Sequence, residues 1–255
     1  MRQYFDPHHS NKITIVGLGG TGTGVARIVG RIAYDIQRSR GRAPEIVLID
    51  PDKVEEKNVG RQLFAPCDIG RYKAEVASKR LNYALGLATK WIPTEVDASR
   101  HFGRYGSDIV VSCVDNHLAR REINKVSGIL IASGNHNNAG QVTIGNSNDS
   151  GQVKDNLDRE NVRYLPKEGL LFPGLLEAEP EAEPKPPAEN LSCAELVATG
   201  EQDLLVNDWM ATITGQYIYK LLHRQPIYSF LTYINADGIN VRSLPISRAE
   251  IEVYL

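Results

Sequence analysis

The sequence predicts an α/β protein: a Rossmann-like, mostly parallel sheet with helices on both faces, plus a C-terminal helix and β-hairpin extension. Three observations predict it. Short apolar, β-branched runs recur ("KITIVGL", "EIVLID", "DIVVSCV", "GILIASG"), and helix-period segments lie between most of them. A turn with five glycines between residues 17 and 24 joins the first run to the first helical segment. At 255 residues and 42% apolar content, the chain is long enough to bury one sizeable core.

Each element follows from local pattern. Residues 23–38 carry Val25, Ile28, Val29, Ile32, Ala33 and Ile36 at helical spacing. "EIVLID" is a second strand that closes on Asp50, and residues 73–88 read as a second helix. "TKWIPTEVD" holds a third strand, with Pro93 arguing for an edge or a break. "DIVVSCV", "NHLARREINKVS" and "GILIASG" then read as strand, helix and strand, and "AGQVTIGN" adds a strand beyond that unit. Strands alternating with helices imply a parallel sheet covered on both faces. "DWMATITGQYIYKLLHR" makes a final helix, and "IYSFLTYIN" and "INVRSLPI" form a hairpin around Asp237-Gly238.

Three regions are expected. Residues 1–146 form a nucleotide-binding core. Residues 147–190, polar and proline-rich up to "EAEPEAEPKPPAEN", read as a long mobile loop. Residues 191–255 complete the same domain.

Composition excludes several classes. The net charge of −2 does not point to a strongly basic nucleic-acid face, although bulk charge leaves a local basic patch open, and no nucleic-acid partner is expected. No apolar run is long enough to span a membrane, so no membrane association is expected. The N-terminus lacks an apolar signal core, which argues for the cytoplasm. Cys67, Cys113 and Cys193 are far apart and form no CxxC pair, so no zinc site is expected. "GNHNN" around His136 reads as a polar loop rather than a metal site.

The chemistry concentrates at the glycine turn. Gly17, Gly19 and Gly22 satisfy G-x-G-x-x-G between a strand and a helix. That spacing gives a tight turn, backbone approach to a phosphate and close helix–strand packing. Asp50, at the end of the next strand, is where an acid accepts hydrogen bonds from ribose hydroxyls. These features alone suit either NAD or ATP. A P-loop is excluded, because G-x-x-x-x-G-K-[ST] is absent. The next stretch favours ATP. Arg61 offers a planar fork and Lys73 a point charge for phosphate oxygens, and Asn58 and Gln62 can orient them. Asp115, just past a strand, suits a Mg²⁺ that also binds phosphate. It is also a fair N-cap for the helix that follows.

"GLGGTG", "IDPDKVEEKNVGRQ", "IGRYKAE" and "CVDN…ARREIN" together resemble the ThiF/MoeB/HesA family, the bacterial relatives of ubiquitin-activating enzymes. The likeness runs in order from about residue 12 to 145, and resumes more weakly at "LSCAEL" and the final helix. It implies ATP-dependent adenylation of the C-terminal glycine carboxylate of a ubiquitin-like, sulfur-carrier β-grasp protein. It assigns Gly17, Gly19, Gly20 and Gly22 to the phosphate turn, Asp50 to the ribose and Asp52 to the second acid of the motif. Asn58, Arg61 and Gln62 match its phosphate-binding N-x-x-R-Q. Lys73 matches the phosphate lysine, Asp115 the metal-linked aspartate and Asn116 a residue on the adenine side. Cys193 is the candidate for receiving the activated partner. The family's paired CxxC zinc ligands are missing here. A homodimer is implied. An NAD-dependent oxidoreductase and a non-catalytic ATP-binding module stand as alternatives.

Overall fold

A computed structural model describes residues 3–7, 11–103, 108–178 and 205–255. In chain order the strands and helices that build the site begin with β1 (Tyr4–Phe5), β2 (Lys12–Val16), α1 (Gly20–Arg40) and β3 (Glu45–Ile49). Next come α2 (Lys73–Leu85), β4 (Lys90–Ile92), α3 (Ala98–His101), β5 (Asp108–Ser112) and α4 (His117–Asn124). Then follow β6 (Ile129–His136), β7 (Ala139–Gly145), α5 (Ser150–Lys154), β8 (Asn161–Val162) and α6 (Glu168–Leu171). After the undescribed stretch come α7 (Val206–Leu222), β9 (Ser229–Asn235) and β10 (Asn240–Pro245).

Eight strands form one sheet in the order β10-β9-β7-β6-β5-β2-β3-β4. The five strands β2 to β6 run parallel, and β7, β9 and β10 continue the sheet antiparallel. The predicted class is therefore present, with the terminal hairpin as its extension. The short β4 is an edge strand ending just before Pro93, as a missing N–H donor requires.

The strands read as continuous apolar runs because each is buried on both faces. Ile13 and Ile15 of β2, Ile46 and Leu48 of β3, and Ile109 and Val111 of β5 enter the core beneath α1 and α7. The alternate residues Val16, Val47, Ile49 and Val110 enter a second core with Ile123 of α4. A two-residue period sorts one strand between two cores.

α7 lies closely on α1 because small residues meet at the contact. A Cβ at Gly24 would stand 2.8 Å from Ala211 Cβ, and one at Gly215 would stand 2.5 Å from Ile28. This close approach carries the start of α7 to the glycine turn.

The expectation of a mobile loop over 147–190 needs correction in its first part. Residues 147–178 fold into α5, β8, α6 and a 3-10 turn. Val153, Leu157, Val162, Leu165 and Leu171 join the main core. Buried Asn156 organises the stretch: its Oδ1 accepts from Arg163 and Tyr164 N–H at 2.6 and 3.0 Å, and its Nδ2 donates to Val153 and Tyr164 carbonyls. β8 also pairs with β1. Side chain-to-backbone bonds, rather than periodic apolar residues, order this segment, so its polar composition concealed it. Residues 179–204, with the proline-rich run and Cys193, lie outside the described residues. No described helix is long and apolar enough to cross a membrane.

Candidate active site

A cavity of about 570 Å³ opens at the carboxyl ends of β2, β3, β5 and β6. The chain passes from β2 outward to β3 and β4, then returns to place β5 on the other side of β2. Such a reversal leaves a crevice between the loops, where open α/β sheets bind ligands.

The glycine turn forms the cavity's floor. Gly17 has φ +86°, and a Cβ there would sit 2.6 Å from the Cys113 carbonyl oxygen. A Cβ at Gly22 would fall 1.8 Å from the Gly17 carbonyl oxygen. Gly22 does not line the cavity; it lets α1 start against the turn. Gly19 and Gly20 do line it, and Gly19 is the N-cap of α1 with no side chain to cap the helix. The first-turn N–H groups are thus available to an anion.

Asp50 ties two loops together. Its Oδ2 accepts from Leu18 N–H in the glycine turn, and its Oδ1 accepts from Asp52 N–H at 2.8 Å. The carboxyl is buried, and burial raises its pKa, although the Leu18 N–H and the Lys73 charge oppose the shift. Carboxylate oxygens carry further lone pairs, so ribose hydroxyls can still bind. Asp52 supports Lys73: its Oδ2 lies 2.9 Å from Lys73 Nζ, and its carbonyl accepts from Lys73 N–H at 2.9 Å. Lys73 is buried at the start of α2 and lines the cavity.

The loop from 51 to 72 is held by its own small core of Val54 and Phe64 against Val76 of α2. Asp68, buried, caps that loop at Ala65 N–H and pairs with Arg80. Arg61 and Gln62 project from it into the cavity. Gln62 Oε1 is buried without a hydrogen-bond partner among the described residues. Asn58 is not in the cavity lining. Its Oδ1 accepts from Glu55 N–H at 2.9 Å, and its carbonyl accepts from Gln62 N–H, so it shapes the loop that carries its neighbours.

Asp115 is exposed at the cavity wall. Asn116, and not Asp115, caps α4, accepting from Ala119 N–H at 2.9 Å. The Asp115 carboxylate is therefore not used as a cap. Cys113 is half-buried at the base of the cavity, and burial pushes its thiol up to about 12 against the opposing Arg120 charge, which disfavours the thiolate. The expected polar loop around His136 is narrower than predicted: Asn135 and His136 end β6, paired with Gly140 and Ala139 of β7, and only Asn137 and Asn138 form the turn. No group of three metal-ligating side chains occurs among the described residues.

Several lining residues escaped the sequence reading, among them Arg120, Ser133, Asn135 and Asn207. Arg120 donates through Nη2 to the Val114 carbonyl at 2.9 Å and through Nη1 to Glu168 at 2.7 Å. That pair is nearly buried, at 10% and 4% exposure, and links the segment after residue 147 to the Asp115 turn. Ser133 and Asn135 of β6 and Asn207 of α7 complete the wall. Arg120 and Ser133 stood inside quoted runs, and Asn135 follows Ser133 by two residues; Asn207 alone is joined to them only by the fold.

Sheet order and covering helices define a Rossmann-like α/β protein with a cavity at the topological switch. A ThiF family model matches residues 7–251, and the chain belongs to that family. Among curated proteins, ubiquitin-like modifier-activating enzyme 5 of Culex quinquefasciatus is 30% identical over 134 residues, covering 47% of this chain and 32% of that protein. The same enzyme of Oryza sativa subsp. japonica is 33% identical over 133 residues, covering 46% and 30%. This chain thus spans about a third of those relatives' length. Among solved structures, E. coli MccB with ATP superposes with TM-score 0.57 at 19% identity, over 93% of this chain and 64% of that one. PaaA gives 0.58 at 16% identity, over 92% and 64%. These likenesses speak for the fold.

Proposed function

We propose that the protein adenylates the terminal carboxylate of a protein or peptide at the expense of ATP. The observation that carries this is the convergence of Arg61, Lys73 and Asp115 on one cavity with the uncapped glycine turn. A hydride-transfer site has no evident need for such a cluster, whereas splitting a triphosphate does.

The residues present fit ATP. Asp50 faces the ribose, and Ile49, Val96 and Leu118 offer an apolar wall for the base. The first turn of α1 meets the phosphates. A carboxylate oxygen of the acceptor attacks the α-phosphorus, and the bond to the pyrophosphate oxygen breaks. Arg61 and Lys73 neutralise the charge that grows on pyrophosphate. On arrival of the phosphates, Lys73 shares its three donors between them and Asp52. Asp115 would hold a Mg²⁺ entering with ATP, which supplies further charge neutralisation. A lone carboxylate suits a cation carried mostly by phosphate and water.

The finer reading makes the acceptor a β-grasp, ubiquitin-like protein ending in glycine. The relatives' name supports it, as does the family resemblance. MccB has been solved in complex with N-formylated MccA, so a different acceptor is an alternative to compare. Cys193 then attacks the acyl-adenylate carbonyl as a thiolate, releasing AMP and forming a thioester. A homodimer completes this reading and rests on the resemblance alone.

The test is ATP–pyrophosphate exchange with Mg²⁺ and a glycine-ended β-grasp protein or a synthetic peptide. Exchange that needs ATP, Mg²⁺ and the acceptor supports the proposal. Exchange unaffected by Arg61→Ala and Asp115→Ala overturns it. Loss of a thioester-linked species in Cys193→Ala, with exchange intact, would assign the second step.

A further inference from the structure

α7 contributes a polar side chain to the cavity from 186 residues beyond the glycine turn it meets. Asn207 stands in the first turn of α7, half-buried, at the cavity wall. Its Oδ1 accepts from Thr21 Oγ at 2.9 Å and from Asn135 Nδ2 at 3.2 Å. Those two bonds fix which way the carboxamide points. The Nδ2 group lies over Gly20, where a Cβ would stand 2.7 Å away. Among the described residues it has no acceptor. Two N–H donors are therefore aimed beside the same first turn of α1 whose backbone donors are uncapped.

Backbone and side-chain donors gathered at one helix start suit an anion with several oxygens. Nearby, Ser133 Oγ is buried at the cavity wall and also lacks a hydrogen-bond partner. We propose that Asn207 is a ligand of the nucleotide's phosphate, supplied by the C-terminal helix and braced by Thr21 and Asn135. This rests on the reading of the cavity as an ATP site. It gives α7 a part in binding: phosphate holds the start of α7 against the glycine turn, and the close α1–α7 contact at Gly24 and Ala211 keeps it there.

Asn207→Asp separates the roles. Aspartate has the same shape and still accepts from Thr21 and Asn135, but it donates nothing and repels phosphate. ATP with Mg²⁺ and adenosine are titrated calorimetrically into the full chain and the variant, with thermal melting as a fold control. The expected result is a loss of about tenfold or more in ATP affinity with adenosine affinity unchanged, the effect of losing a bond to a charged group. Asn135→Ala, which removes one brace, should weaken ATP by less. Unchanged ATP affinity in Asn207→Asp overturns the proposal and leaves Asn207 a structural brace. Equal losses for ATP and adenosine also overturn it, because the effect is then not directed at phosphate. A wild-type chain that binds no ATP sinks the nucleotide reading instead, and this inference with it.

Discussion

The two ends of the cavity are built on different plans. Beneath β2 and β3 it is charged, and its groups come from one stretch of about two dozen residues: Asp50, Asp52, Arg61 and Lys73. Beside β6 its donors are a hydroxyl and amides, Ser133 and Asn135 two residues apart on the strand and Asn207 from far along the chain, and the one charge there, Arg120 next to Gly134, is matched by Glu168. The charged end is organised to meet a triphosphate. The end beside β6 arranges uncharged hydrogen-bond donors. The first is assembled by a loop with its own small core, the second by helix packing across the sheet.

The largest effect should come where both ends share a foundation. Gly22→Ala sets a Cβ against backbone, not a flexible side chain, so the turn must shift. ATP binding should be lost altogether, whether read by calorimetry or by protection against melting. A Gly22→Ala protein that binds ATP normally would show that the turn does not govern either end.

Arg61→Ala and Asp115→Ala come next. Each should lower pyrophosphate exchange by about 10²–10³-fold, the usual effect of losing one group that stabilises transition-state charge. Measured against them, Asn135→Ala should cost far less, since it touches only the end beside β6. Equal losses from all three would erase the distinction between the ends.

Glu168→Ala tests the link between the cavity and the segment after residue 147. It leaves Arg120 buried without its partner, which should cost about 3–5 kcal/mol in a denaturant titration. Glu168→Gln, which keeps one acceptor, should cost less. A neutral Glu168→Ala would mean that the segment does not support the Asp115 turn.

The smallest effect concerns the thiols. Cys113, with its pKa raised to about 12, should resist alkylation at pH 8 in the folded protein, while exposed Cys67 reacts. Because the folded pKa lies above the unfolded value, Cys113 favours folding below about pH 9. That contribution falls as pH rises toward 12. Cys113→Ala should therefore flatten the loss of stability at alkaline pH.

The same contrast explains what the sequence revealed. Glycine spacing, β-branched runs and helix period identified β2, α1, β3, β5 and α4 because each is a local pattern. The charged end was legible for the same reason: its residues are neighbours in the chain. Asp115 was separated from its rival role only by the structure, which gives the cap to Asn116. Asn58 was matched to N-x-x-R-Q by resemblance; its Oδ1 accepts from Glu55 N–H, so it shapes the loop that carries Arg61 and Gln62. Asn207 left no local trace, since its position depends on Gly24 and Gly215 letting two helices approach. The folded stretch 147–178 was hidden because one buried asparagine, Asn156, does the work that apolar periodicity does elsewhere.

The most direct measurement is a crystal structure of the chain with ATP and Mg²⁺. The triphosphate should lie across the first turn of α1, with Arg61 and Lys73 within hydrogen-bond reach of its oxygens and Asp115 facing the cation. A nucleotide bound elsewhere, or one whose phosphates turn away from Arg61 and Lys73, would contradict the account.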